Sequence, residues 1–117
     1  MPSTVLIVDD HPSFRATARL LLEGDGYVVV GEAADGASAL RAAAELEPDV
    51  VLLDVNLPDL DGFAVAERLT AGGGGPRVVL CSSRDAEDFG DLVAGSGARG
   101  FVAKADLSGA AVRELVG

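Results

Sequence analysis

Five short apolar runs recur along the chain: Val5-Leu6-Ile7-Val8, Val28-Val29-Val30, Val50-Val51-Leu52-Leu53, Val78-Val79-Leu80-Cys81 and the shorter Phe101-Val102. Each run is continuous rather than alternating, and rich in β-branched residues. That pattern suits strands covered on both faces, as in a parallel sheet. Between the runs lie amphipathic stretches that read as helices. Phe14, Ala18, Leu21 and Leu22 form the first stripe, with Pro12 in its first turn and Gly24 as its stop. Ala37, Leu40 and Ala44 form a second, ended by Pro48. Phe63, Ala66 and Leu69 form a third, Phe89, Leu92 and Val93 a fourth, and Leu107, Ala111 and Leu115 a fifth. Strict strand–helix alternation with short connections predicts right-handed crossovers and a doubly wound α/β fold. Spatial strand order does not follow from the alternation.

The length of 117 residues fits one domain, and a hydrophobic fraction of 49% is enough for a packed core rather than a disordered chain. No apolar run approaches the roughly 18 residues of a membrane span. The opening Met1-Pro2-Ser3-Thr4 lacks the basic and apolar regions of a secretory signal, and the single Cys81 excludes an internal disulfide. A cytoplasmic protein is the expectation. A formal net charge of −10 repels nucleic-acid phosphates and anionic membranes, so direct nucleic-acid contact by this domain is not expected.

Reactive residues fall at the ends of the runs. Asp9 and Asp10 follow the first, Asp54 the third, Ser82 the fourth and Lys104 the fifth. In a parallel sheet these positions share the carboxyl edge, where open α/β sheets bind ligands. Crowded carboxylates raise one another's pKa unless a cation intervenes. A hard divalent ion such as Mg²⁺ takes carboxylate oxygens, keeps several waters and bridges to phosphate. It would balance the acids and leave Lys104 for an incoming anion. The set has no His/Cys spacing for zinc. The Gly72-Gly73-Gly74-Gly75-Pro76 segment reads as a loop without a binding role, because no Lys-Ser/Thr sequel follows it.

The segments VLIVDDHPSFR, DVVLLDVNLPDLDG, VVLCSS and GARGFVAKADLS resemble the receiver domain of bacterial two-component response regulators. They are most similar to the NarL/FixJ-type subfamily, whose members often carry a helix-turn-helix effector. The resemblance runs from Thr4 to Val116 and makes residues 1–117 one receiver domain. It implies a flavodoxin-like (βα)5 fold with strand order 2-1-3-4-5. Residue by residue, it implies Asp54 as the phosphoacceptor for the phosphohistidine of a sensor histidine kinase. Asp10 would be a direct Mg²⁺ ligand, Asp9 a water-mediated one, and Asn56 would offer its backbone carbonyl. Ser82 would hydrogen-bond a phosphoryl oxygen and Lys104 would pair with another. Spacing to Lys104 in the family pattern selects Ser82 over Ser83. Phe101 matches the switch aromatic, although plain core packing accounts for it equally. Lacking the hydroxyl of the more usual Tyr, it would act through packing alone. The output surface would be the face from Ala86 to Gly117, the fourth helix, fifth strand and fifth helix. Dimerisation would use that face or the first and fifth helices, and transcription would be controlled through a DNA-binding domain outside this sequence.

Other readings exist for several residues. One of Asp9 and Asp10 can cap the helix that starts at Pro12 while still serving a metal. His11 is expected to begin that helix rather than bind Mg²⁺, which prefers oxygen. Cys81 is expected to be inert packing, and Ala105-Asp106 to start a helix that turns Lys104 inward. Arg84 could pair with an acidic neighbour or reach the phosphoryl group. The competing function is a Mg²⁺-dependent phosphohydrolase of the haloacid-dehalogenase type with Asp54 as nucleophile. That chemistry wants an Asp two places after the nucleophile, where this chain has Asn56. A degenerate scaffold would have no need of Asp9, Asp10, Asp54 and Lys104 together.

Overall fold

A computed structural model describes residues 2–84 and 89–116. Strands β1 (Thr4–Val8), β2 (Val28–Ala33), β3 (Val50–Asp54), β4 (Arg77–Ser82) and β5 (Gly100–Ala103) form one parallel sheet in the order β2-β1-β3-β4-β5. The helices are α1 (Pro12–Gly24), α2 (Gly36–Leu46), α3 (Gly62–Thr70), α4 (Leu92–Gly95) and α5 (Gly109–Val116), with a 3-10 turn at Lys104–Asp106. The runs of the central strands β1, β3 and β4 are apolar on both sides because both sides are covered, whereas Val28 on the edge strand β2 is exposed. Leu6, Val8, Val51, Leu53, Val78 and Leu80 pack with α2 and α3 on one face. Val5, Ile7, Val50, Leu52, Val79 and Cys81 pack with α1 and α5 on the other. The chain steps outward from β1 to β2, then back past β1 to β3. Crossovers of constant hand therefore place α1 and α2 on opposite faces and open a crevice beyond the ends of β1 and β3.

The helix stripes depart further from expectation than the strands. In α1, Ala18 and Leu22 are buried as expected, but Leu21 lies at the rim and is 39% exposed. In α2 the buried residues are Gly36, Ala39 and Ala43, with Leu40 partly buried, while Ala37 and Ala44 face solvent. Alanines stand on every side of this helix, so their spacing does not fix its phase. Capping does. Asp35 Oδ1 accepts the Ser38 N–H at 2.8 Å, and Asp59 accepts those of Gly36 at 2.7 Å and Ala37 at 3.0 Å. In α3, Phe63, Ala66 and Leu69 are buried as expected, joined by Val65.

The fourth stripe does not form one helix among the described residues. Gly90 adopts φ 55°, a left-handed conformation, so Phe89 lies in a turn ahead of the single-turn α4. Ala86 and Gly117, the ends of the expected output face, lie outside the described residues. Leu107 is buried but precedes α5, whose first turn is held by Ser108 Oγ accepting the Ala111 N–H at 3.0 Å. No helix among the described residues is long and apolar enough to cross a membrane.

Candidate functional site: an acidic cluster at the carboxyl edge

The last register pairs of the sheet, Val8 with Leu53, Asp54 with Cys81 and Ser82 with Ala103, bring Asp9, Asp54, Ser82 and Lys104 to one edge. Asp9 is anchored by its N–H, which donates to the Ala33 carbonyl at 3.0 Å, and its side chain is fully buried. Asp54 ends β3 with 2% of its surface exposed. Its Oδ1 accepts the Asn56 N–H at 3.1 Å and its Oδ2 the Lys104 ammonium at 3.3 Å. Lys104 Nζ also stands 2.6 Å from Asp9 Oδ2, so one cation bridges two buried carboxylates. The 3-10 turn at Lys104–Asp106 directs that side chain, matching the inward orientation expected of Lys104.

Backbone geometry behind Asp54 is equally constrained. Gly62 begins α3, and its N–H donates to the Val55 carbonyl at 3.0 Å. A Cβ at this position would collide with the Asp54 carbonyl oxygen and the Val55 backbone. Asp61 caps α3 by accepting the Phe63 N–H at 2.9 Å. The loop after Asp54 thus folds back against it, with Asn56 bridged to Asp61.

Electrostatics follow from crowding. Burial lifts the Asp54 carboxyl above its ordinary pKa, and the charge of Asp9 adds to this against the Asn56 N–H and Lys104. Burial would also lift Asp9, but the Lys104 ammonium beside it and hydrogen bonds from His11 outweigh this and hold Asp9 below the ordinary range. Lys104 is opposed by burial, yet Asp9 and Asp54 raise its pKa, so it stays an ammonium. Cys81, directly behind Asp54, has its thiol pushed far up by burial and is inert, as expected of a packed residue.

Asp10 is exposed at the rim, and His11 occupies the residue before α1. The His11 ring makes no capping hydrogen bond; its Nδ1 lies 3.0 Å from Asp9 Oδ1 and 3.0 Å from Asp10 Oδ1. Asp9, Asp10, His11 and Asp54 can each offer one ligand atom, all within 4.8 Å of one another. The set is dominated by carboxylate oxygens. Asp9 Oδ2 is buried with no directional hydrogen bond, only the ionic contact from Lys104. Such a donor set fits a hard divalent cation and gives a thiophilic metal no sulfur ligand.

Ser82 is buried, and its Oγ accepts the Arg84 N–H at 3.1 Å, whereas Ser83 is exposed. Arg84 stacks its guanidinium 5.6 Å from the Phe89 ring centroid. Phe101 is half-buried, with its ring 5.6 Å from Phe89, which in turn meets Phe63 at 5.4 Å. Two residues of α1 reach the site although nothing in the sequence pattern singles them out. Arg15 Nη1 donates to the Asp9 carbonyl at 2.6 Å while its Nε binds Glu32 at 3.0 Å, and the Phe14 ring centroid lies 4.5 Å from Lys104 Nζ. Both lie within VLIVDDHPSFR, whose helical spacing offers core packing for Phe14 and nothing particular for Arg15.

The family described as the response regulator receiver domain matches residues 5–111. The chain is 39% identical over 104 residues to the nitrate/nitrite response regulator protein NarP of Escherichia coli, covering 88% of this chain and 48% of that protein. It is 49% identical over 113 residues to a protein-glutamate methylesterase/protein-glutamine glutaminase of Anaeromyxobacter dehalogenans, covering 94% of this chain and 32% of that one. Among solved structures, the signal receiver domain of NarL from Mycobacterium tuberculosis superimposes with a TM-score of 0.88 at 35% identity, over 98% of this chain and 96% of that one. The chain spans about half the length of the transcription regulators it matches. With its doubly wound sheet and the acid cluster at its carboxyl edge, the chain belongs to the response regulator receiver domain family of two-component systems, with NarL and NarP among its relatives.

Proposed function

We propose that residues 1–117 form a phosphorylation-controlled switch in which Asp54 accepts a phosphoryl group from the phosphohistidine of a sensor histidine kinase. The observation that carries this reading is Lys104, held 2.6 Å from Asp9 and 3.3 Å from Asp54 at a carboxylate edge built for a hard cation. An Asp54 oxygen attacks phosphorus, the P–N bond breaks, and its electron pair stays on the imidazole. Phosphoryl transfer has a loose transition state, so positioning and charge neutralisation supply most of the catalysis. Asp9, Asp10, Asp54 and the Asn56 carbonyl would hold Mg²⁺, which when bound supplies positive charge against the phosphoryl oxygens.

The chain's own groups supply the rest. The Asn56 N–H fixes Asp54 Oδ1 and so presents the other oxygen. Lys104 leaves Asp9 for a phosphoryl oxygen, and the Ser82 hydroxyl donates to another, exchanging its present bond with the Arg84 N–H. Movement at Ser82 is passed to Phe89 through Arg84 and on to Phe101, a packing route that needs no phenolic hydroxyl. A local charge change thereby biases the surface made by α4, β5 and α5. That surface, or α1 with α5, would form a phosphorylation-dependent homodimer. The output would be transcription, through a DNA-binding segment beyond this sequence, in the cytoplasm.

Intact-mass measurement after acetyl phosphate and Mg²⁺ tests this reading. One adduct of about 80 Da is expected, the mass of a single phosphoryl group. It should be absent in Asp54→Ala and without the metal. Lack of an adduct, with either acetyl phosphate or a cognate kinase, contradicts the switch. Steady turnover of a phosphate ester contradicts it in favour of the hydrolase.

A further inference from the structure

We propose that Phe14 is a positioning residue for Lys104, its ring face keeping the ammonium in the cleft between Asp9 and the acceptor carboxylate, within reach of both. The inference rests on the switch reading and adds to it a part that the acid cluster cannot supply. Lys104 hangs on a flexible stem with two buried carboxylates on one side, and the nearer is Asp9 at 2.6 Å rather than Asp54 at 3.3 Å. Coulomb attraction alone therefore draws the ammonium toward Asp9 and away from Asp54. The Phe14 ring centroid stands 4.5 Å from the same nitrogen, within the range where a ring quadrupole attracts a cation.

Phe14 is well suited to this by where it sits. It lies in the first turn of α1, two residues after Pro12, and it packs against the core cluster that includes Ala18, Leu22 and Leu107. Pro12 fixes the start of that turn, and Arg15, next to Phe14, ties the helix back to the Asp9 carbonyl. The helix turn that carries the ring is thus tied to the acid segment. An aromatic face also has no hydrogen-bond direction to satisfy. The ammonium can shift across it, from Asp9 toward a phosphoryl oxygen on Asp54, without losing the contact. A carboxylate in its place would add a third competitor for Lys104, and a cation would repel it. Leucine would cover the lysine stem as well as phenylalanine does but would lack the quadrupole. That difference separates packing from positioning.

The experiment follows the rate of Mg²⁺-dependent phosphorylation by acetyl phosphate in wild type, Phe14→Leu and Phe14→Tyr, with and without Lys104→Met. Loss of a cation–π contact should slow Phe14→Leu by about threefold to thirtyfold. Phe14→Tyr should stay near wild type, and in the Lys104→Met background Phe14→Leu should cause no further loss. Before phosphorylation, proton NMR should show the Lys104 ε-methylene shifted upfield by the ring, with the shift kept in Phe14→Tyr and lost in Phe14→Leu. Urea unfolding identifies any variant that has lost its fold, and Phe14→Met replaces Phe14→Leu if that one has. An unchanged rate in Phe14→Leu, the same loss in the Lys104→Met background, equal losses in Leu and Tyr, or no ring shift in wild type overturns the inference. A wild-type protein that takes no phosphoryl group instead sinks the switch reading, and the ring shift then still reports whether the contact exists.

Discussion

Asp54 is held in a place that disfavours its own charge. Burial lifts its pKa and the neighbouring Asp9 lifts it further, while Lys104 and the Asn56 N–H favour the ionised carboxylate against that cost. Removing the charge should therefore help the fold. Asp54→Asn is expected to raise the urea midpoint, because burial and the Asp9 charge both oppose the ionised carboxylate. Lys104→Met should do the reverse, leaving two carboxylates uncompensated and lowering stability by about 2 kcal/mol in this partly solvated site. Urea unfolding at neutral pH without metal checks both. An Asp54→Asn protein less stable than wild type would show that the carboxylate is structural rather than poised for reaction.

Between residue and fold, α3 and its loop show how an element is placed to serve one side chain. Gly62 lets the helix start against the Asp54 and Val55 backbone, and a methyl there has nowhere to go. Gly62→Ala should cost about 2 kcal/mol or more, as overpacking against rigid backbone does, and should slow phosphorylation by moving the Asp54 loop. A protein with unchanged urea midpoint and rate would contradict that coupling. The strands are legible in the sequence because the runs of β1, β3 and β4 are buried on both faces and the edge runs of β2 and β5 share their β-branched, apolar composition, and the ends of the runs locate Asp9, Asp54, Ser82 and Lys104. The phase of α2 is not legible, because alanine on every side removes the contrast that periodicity needs. The short α4 turns on the backbone at Gly90, where φ is 55°. Phe14 and Arg15 escape sequence reasoning for a different cause. Their partners, Lys104 and the Asp9 carbonyl, are supplied by tertiary packing, which helical spacing does not encode.

Over the whole molecule, a net charge of −10 makes the carboxylates the main determinant of acid stability. Glu32 is held below its ordinary value by hydrogen bonds from Arg19 and Arg15, despite partial burial. Asp49 is held down by the Thr4 N–H, which donates to it at 2.9 Å, and Asp59 by the N–H groups that start α2. Each lowered group binds protons less readily folded than unfolded. Its stabilisation is present above the unfolded value and is lost as pH falls through the folded one. Asp54 has the opposite sign, but it is outnumbered. The urea midpoint should therefore fall between about pH 5 and about pH 3, and Glu32→Gln should make the fall shallower. A midpoint that holds level or rises on acidification would mean that relief of like-charge crowding wins instead.

At the centre of all this is where the phosphoryl group goes. An acyl phosphate is reduced by borohydride, which marks the modified residue for peptide mass analysis. After exposure to acetyl phosphate with Mg²⁺, the label should fall on the peptide containing Val50 to Asp54 and, by fragmentation, on Asp54 alone. A label on Asp9 or Asp10, or a stable phosphate that resists borohydride, such as an ester on Ser82, would contradict Asp54 as the acceptor and with it the switch.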